Sequence, residues 1–249
     1  MRRSVRANDE NWSRARSYTF LERVDEQQLD SAGQVKSRSV KTYDVTLLDG
    51  SPYRRLVERD DHPLPADEQK KEEERLQKSL AQRSKETAVE RQRRIKEWEK
   101  RRERDRQTML EVSDAFNFRV TGDERVDGRD VVVLEATPRP AFHPQSRSAK
   151  LLPHFRGKLW IDRQSYQWVK VEAQVIDTIT WGLFLIRLDP GARIFFEQSL
   201  IRNEVWLPHE VLVTGSARIG LFKKLRLREQ VTYKNYRRFQ TDSRLLSPQ

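Results

Sequence analysis

The chain of 249 residues contains no cysteine. That absence excludes disulfides, thiolate metal sites and cysteine nucleophiles, but not an exported location, because exported proteins without cysteine are common. There is no apolar run long enough to cross a membrane as a helix. Met1–Asn11 is basic and then polar, without the apolar segment of a secretory signal. These features predict a cytoplasmic address unless an export signal lies upstream. Glycine is scarce, with nine residues scattered at turns, and no Gly-rich phosphate-cradling loop is present. The four histidines, His62, His143, His154 and His209, each adjoin a proline, which predicts turns or loops for all of them. No two stand at the i, i+2 or i, i+4 spacing that would converge them on a metal. A Gly-x-Ser-x-Gly elbow is also missing. The sequence thus reads as non-enzymatic, with no catalytic residues, no metal and no cofactor.

What is present is unevenly distributed. Charged residues make up 35 % and hydrophobic ones 36 %, so one region must be very polar and another must hold the core. The net charge is +11, and residues 117–249 supply most of it with 22 basic against 14 acidic side chains. A field of that sign favours anionic partners.

The clearest pattern lies at Phe155–Val175. Leu159 and Ile161 alternate with Lys158, Trp160 and Asp162, and Val169, Val171, Ala173 and Val175 alternate with Lys170, Glu172 and Gln174. Period-two patterning on both sides of a polar break predicts a half-buried antiparallel hairpin. Upstream, strands are predicted at about 14–26, 35–48 and 53–58, with Asp49-Gly50 as a hairpin turn. Residues 66–116 lack glycine and proline and are dominated by Glu, Lys and Arg, which predicts a long charged helix touching the body at its two ends. Strand patterning resumes at 118–124 and 130–137, then at 193–201, 203–207, 210–219 and 225–236. The predicted fold is mainly β: a single curved antiparallel sheet of about ten strands, whose interior a helix or a ligand must fill. The charged helix is inserted between the third and fourth strands. The organisation expected is a flexible leader at 1–13, a single domain at 14–240 and a tail at 241–249.

Several stretches resemble the LolA/LolB-like periplasmic lipoprotein carriers, often described as outer-membrane lipoprotein-sorting proteins. They are Tyr18-Thr-Phe20, Gly128-Arg129 followed by Asp130–Ala136 and Pro138, Gly157-Lys-Leu-Trp-Ile-Asp162, Lys170-Val-Glu172, Glu204-Val-Trp-Leu-Pro208 and Tyr233-Lys-Asn-Tyr236. The likeness covers roughly 14–60 and 117–240. It implies a half-barrel with a concave apolar face that takes acyl chains, and a periplasmic address. The chain lacks a lipobox cysteine, and its long charged helix is foreign to the basic carrier pattern.

With this resemblance, the alternating strands nominate Leu159, Ile161, Val169, Val171, Val175, Phe196, Val211, Val213, Leu227 and Val231 as the apolar cavity wall. Trp181, Leu183, Phe184, Leu185 and Ile186 form either an apolar lip at the barrel mouth or a buried core segment. Lys223, Lys224, Arg226 and Arg228 form a basic patch that could meet an anionic surface, or a solvated outer face that also blunts a sheet edge. The expected partner is the acyl chain of a lipid or lipoprotein, with an anionic membrane surface or a membrane transport protein as a further contact. Nucleic acid fits poorly, because aromatic residues are not interleaved with the charges. The rival reading is a structural or protein-interaction module with a self-filled barrel and 66–116 as a partner-binding arm. An open interior favours the first reading, and a solid one the second.

Overall fold

The computed structural model describes residues 1–181, 186–219 and 223–239. The chain begins with helix α1 (Arg2–Ala15), then strands β1 (Tyr18–Leu29), β2 (Val35–Leu48), β3 (Ser51–Arg59) and the two-residue β4 (His62–Pro63). Helices α2 (Ala66–Ser84) and α3 (Ala88–Ala115) follow. The chain continues through β5 (Phe116–Val126), β6 (Arg129–Pro138), a 3-10 turn (Ala149–His154), β7 (Phe155–Asp162) and β8 (Trp168–Val175). It ends with β9 (Ile179–Trp181), β10 (Ile186–Leu188), β11 (Arg193–Ile201), β12 (Val205–Ile219) and β13 (Lys223–Arg238).

The strands form one open antiparallel sheet of 13 members in the order β4-β3-β2-β1-β13-β12-β11-β8-β7-β6-β5, with the β9–β10 hairpin attached through β10 to β12. Mostly sequential hairpins account for this order, and β1, the first strand, pairs with β13, the last described one. Asp49-Gly50 and Asp127-Gly128 make their turns with both φ values positive, the geometry that two-residue hairpin loops require. The hairpin at the centre of the sequence reading is present, with Phe155 opposite Val175 and Leu159 opposite Val171. Gly157 is obligatory there: a Cβ would lie 2.1 Å from the Glu172 carbonyl oxygen.

Four expectations change. The leader is not loose: it is α1, with Ser4, Val5, Asn8 and Asn11 buried. Its buried stripe is largely polar, so no apolar periodicity announced it. The charged helix is two helices, and Thr87 starts the second with a capping box in which its side chain and that of Glu90 exchange hydrogen bonds with each other's backbone N–H. Their insertion falls after the short β4 rather than directly after the third strand. Two histidines lie in strands, His62 in β4 and His209 in β12. The expected tail at 241–249 lies outside the described residues.

α3 has 28 residues and so spans about 42 Å. It crosses from the β2–β3 turn to β5. At its start Arg94 donates to Ser51 Oγ and, at 3.2 Å, to the Asp49 carbonyl. At its end Glu111 accepts from the backbone N–H of Gln145 and Ser146, and Ala115 is buried beside Phe116, Leu134, Ala136, Leu159 and Ile161. Its middle also touches the body, through the Arg106–Asp9 ion pair to α1. An almost wholly polar helix thus straps the two margins of the sheet.

Candidate ligand cavity

Leu159 and Ile161 lie on the concave side of the sheet, where the end of α3 covers them together with Val112, Leu152, Phe155 and Met1. That part of the half-barrel is filled. Beyond it, towards β11, β12 and β13, the helices leave a hollow of about 590 Å³. β1 contributes Phe20, β8 Trp168 and Val171, β11 Phe196 and β13 Tyr233 and Tyr236. Trp12 of α1 and Met109 of α3 form the opposite side, with Arg102 and Asp105 at the α3 margin. The volume falls within the range of about 300–1,000 Å³ usual for small-molecule sites, and the predominance of aromatic and aliphatic walls is also usual.

Local structure explains the rigidity of the walls. Phe20 packs edge-on against Tyr233 with ring centres 5.4 Å apart, and against Tyr236 at 5.6 Å. Tyr236 donates its hydroxyl to the Pro208 carbonyl. Burial pushes the Tyr233 hydroxyl up to about 12, with Glu22 and Glu229 adding to the effect. It pushes the Tyr236 hydroxyl higher still. Both phenols are therefore neutral at any physiological pH. Asn11 of α1 donates to the Trp206 carbonyl at 2.7 Å and accepts from the Trp206 N–H at 2.8 Å. This reciprocal pair pins α1 over the hollow. Gln198 donates to the Trp168 carbonyl at 2.9 Å.

Arg102, with the exposed Asp105 near it, departs from this neutral lining. Its guanidinium carbon lies 5.2 Å from the ring centres of both Trp12 and Trp98. Its Nη2 donates to the Trp12 carbonyl at 3.2 Å. Burial lowers its proton affinity, as does the charge of Arg16, with Asp105 and Glu99 opposing.

The nominated wall residues divide. Val171 and Phe196 line the hollow. Leu159 and Ile161 lie beneath the helical plug, and Val175 packs with Ile179 and Ala192 farther along. Val231 is buried opposite Val211 and Val24 in the sheet. Val213 and Leu227 are 37 % and 45 % exposed and line a separate groove with Gln28, Ser37 and Ala217. Val169 changes face. The β7–β8 register slips between Trp160 and Ile161, and the bulge turns Val169 towards Val131, Val133 and Trp160, away from Leu159 and Val171.

The proposed lip at Leu183, Phe184 and Leu185 lies outside the described residues, as do the side chains of Trp181 and Ile186 at its ends. Of the basic patch, the side chains of Lys223 and Lys224 also fall outside them. Arg226 donates to the Ser31 carbonyl, and Arg228 is exposed. This patch does not blunt a sheet edge, because β13 is flanked by β1 and β12. Of the aromatic wall the sequence analysis names Phe196 alone, and it names none of the α-helical wall. Tyr233 and Phe20 carried the right alternation, but nothing local marked Trp12 or Met109 as facing them.

Among the described residues no group of three or more His, Cys, Asp or Glu side chains is placed to hold a metal ion. Asp162, in the most specific of the carrier-like motifs, is structural. Burial raises its carboxyl, but hydrogen bonds from Arg129 and Ser165 outweigh that, and the net effect is a lowering. No described helix is long and apolar enough to cross a membrane.

No family model and no curated protein matches the chain. Among solved structures, a domain described as an outer membrane lipoprotein-sorting protein from Vibrio parahaemolyticus aligns at 12 % identity and a TM-score of 0.36, covering 97 % of this chain and 94 % of that one. A LolA superfamily protein from Nitrosomonas europaea aligns at 11 % identity and a TM-score of 0.33, covering 93 % of each chain. A chain of the Pseudomonas aeruginosa MucA/MucB complex aligns at 12 % identity and a TM-score of 0.26, covering 96 % of this chain and 99 % of that one. The solved neighbours thus include LolA-superfamily and lipoprotein-sorting structures, at overlaps too loose to carry an argument about ligand or role.

Proposed function

We propose that this chain is a non-enzymatic binding or carrier module for an acylated ligand, a lipid or a lipoprotein, which it holds between its helices and the concave face of its sheet. The observation that supports this is the hollow of about 590 Å³ bounded by Trp12, Phe20, Met109, Trp168, Val171, Phe196, Tyr233 and Tyr236. The Tyr236 hydroxyl and the Asn11 and Gln198 amides in its lining are engaged with the protein, which suits a long apolar ligand rather than a sugar or nucleotide. The rival reading, a self-filled barrel, requires a solid interior at this place. A periplasmic address is part of the proposal and follows from the resemblance in the Gly157–Asp162 strand.

Two measurements test it. Native mass spectrometry of gently purified protein should reveal a retained lipid mass, and a fluorescent fatty acid should bind with a saturable signal. If no lipid co-purifies and the probe does not bind, the carrier reading is wrong. Fusion of the natural gene's product to alkaline phosphatase tests the address, since the reporter becomes active only after export.

A further inference from the structure

We infer that the ligand has an anionic head, carboxylate or phosphate, and that Arg102 receives it while the acyl chain lies against Met109, Val171 and Phe196. This rests on the carrier reading and adds the chemistry of the head to it.

The argument begins with the place of the arginine. Arg102 lines the hollow and is half-buried between two indoles. Among the described residues its one protein acceptor is the Trp12 carbonyl. Two nearby cations are paired within the protein: Arg16 with Glu99 at 2.9 Å, and Arg106 with Asp9 and Glu103. Among the described residues no carboxylate forms an ion pair with Arg102. Asp105 shares the margin of the hollow but is exposed to solvent. A cation withdrawn from water without a counterion is costly. The two indole rings offset part of that cost. Among the described residues its other N–H donors have no protein acceptor and remain for the forked pairing with carboxylate or phosphate to which arginine is suited. The apolar walls of the same hollow then take the chain attached to that head.

The test compares head groups on one chain length: a fluorescent long-chain fatty acid, its methyl ester, and a lysophosphatidylglycerol used as a competitor. Wild-type protein should bind the acid about ten- to a hundredfold more tightly than the ester, as expected for one charge-assisted hydrogen-bonded contact. R102Q should remove that preference and leave ester binding in place, and R102K should restore part of it. Displacement of the acid by lysophosphatidylglycerol at lower concentration than by unlabelled acid would assign phosphate as the preferred head. Equal binding of acid and ester by wild type overturns this inference but leaves the carrier reading standing. Equal loss of both probes in R102Q also overturns it, because the arginine would then only hold α1 and α3 together. Failure of both probes on wild type removes the carrier reading and this inference with it.

Discussion

Replacement of Asp25 by Asn should weaken the fold in a way that depends on pH, and the size of the effect follows from the geometry. Asp25 lies mid-strand in β1, 3 % exposed. Arg38 on β2 meets it with contacts of 3.0 and 3.2 Å from Nε and a shorter one from Nη2. Gln27 donates at 3.2 Å and Arg23 at 3.4 Å. The Arg38 hydrogen bonds, opposed by burial and supported by Gln27 and Arg23, hold the carboxyl at about 2 against an ordinary 3.8. At about 1.4 kcal/mol per tenfold change in proton affinity, that amounts to at most about 2.5 kcal/mol. The Arg38 side chain is 51 % exposed, so solvent screening brings the expectation nearer to 1–2 kcal/mol. Because the folded-state value is depressed, this stability is complete above the ordinary value and is lost as pH falls towards 2. About half should remain near pH 3. Urea denaturation of wild type and D25N at pH 7, 4 and 3 measures it. The two curves should differ by about 1–2 kcal/mol at pH 7 and converge as the pH falls. A difference that stays constant across that range would show that Asn disturbs packing rather than charge, and would refute the reasoning.

Four further outcomes are expected. V171W, which places an indole in the hollow, should abolish fatty-acid binding while costing no more than about 1–3 kcal/mol of stability by overpacking, as read by fluorescence titration beside thermal melting. G157A drives a Cβ into the Glu172 carbonyl and should lower the urea midpoint by the equivalent of about 2 kcal/mol or more; an unchanged midpoint would mean that the β7–β8 contact is softer than its geometry indicates. N11A removes both hydrogen bonds to the Trp206 backbone and should speed amide exchange in α1, with a global cost of about 1–3 kcal/mol. T87A takes away the α3 cap and should cost about 1 kcal/mol, visible by circular dichroism as a small loss of helix at elevated temperature.

Strands were legible where side chains alternate over a buried and a solvated face, as in Phe155–Val175, because that period depends on the backbone alone. The same rule misplaced Val169, since a bulge shifts the phase by one residue and leaves no mark in the local pattern. Helix α1 escaped because its buried stripe runs through Ser4, Asn8 and Asn11. Its docking depends on hydrogen bonds to backbone groups of residues 166 and 206, which are distant in sequence. The break between α2 and α3 has a readable signal, Thr87 followed three residues later by Glu90. Half of the cavity could not be foreseen. Val171 and Phe196 carry strand alternation, but Trp12, Met109 and Arg102 belong to helices whose orientation is decided by partners elsewhere.

By itself the sequence determined most strands, the antiparallel hairpins with their Asp-Gly turns, and the confinement of the charged run to helix. These follow from backbone geometry and propensity, which act over a few residues. Only the tertiary structure decided that β1 pairs with β13, that α3 straps the two margins of the sheet, and that an open space remains under Trp12 instead of a packed core. Those outcomes depend on which surfaces meet across tens to hundreds of residues of chain, and no local period encodes them.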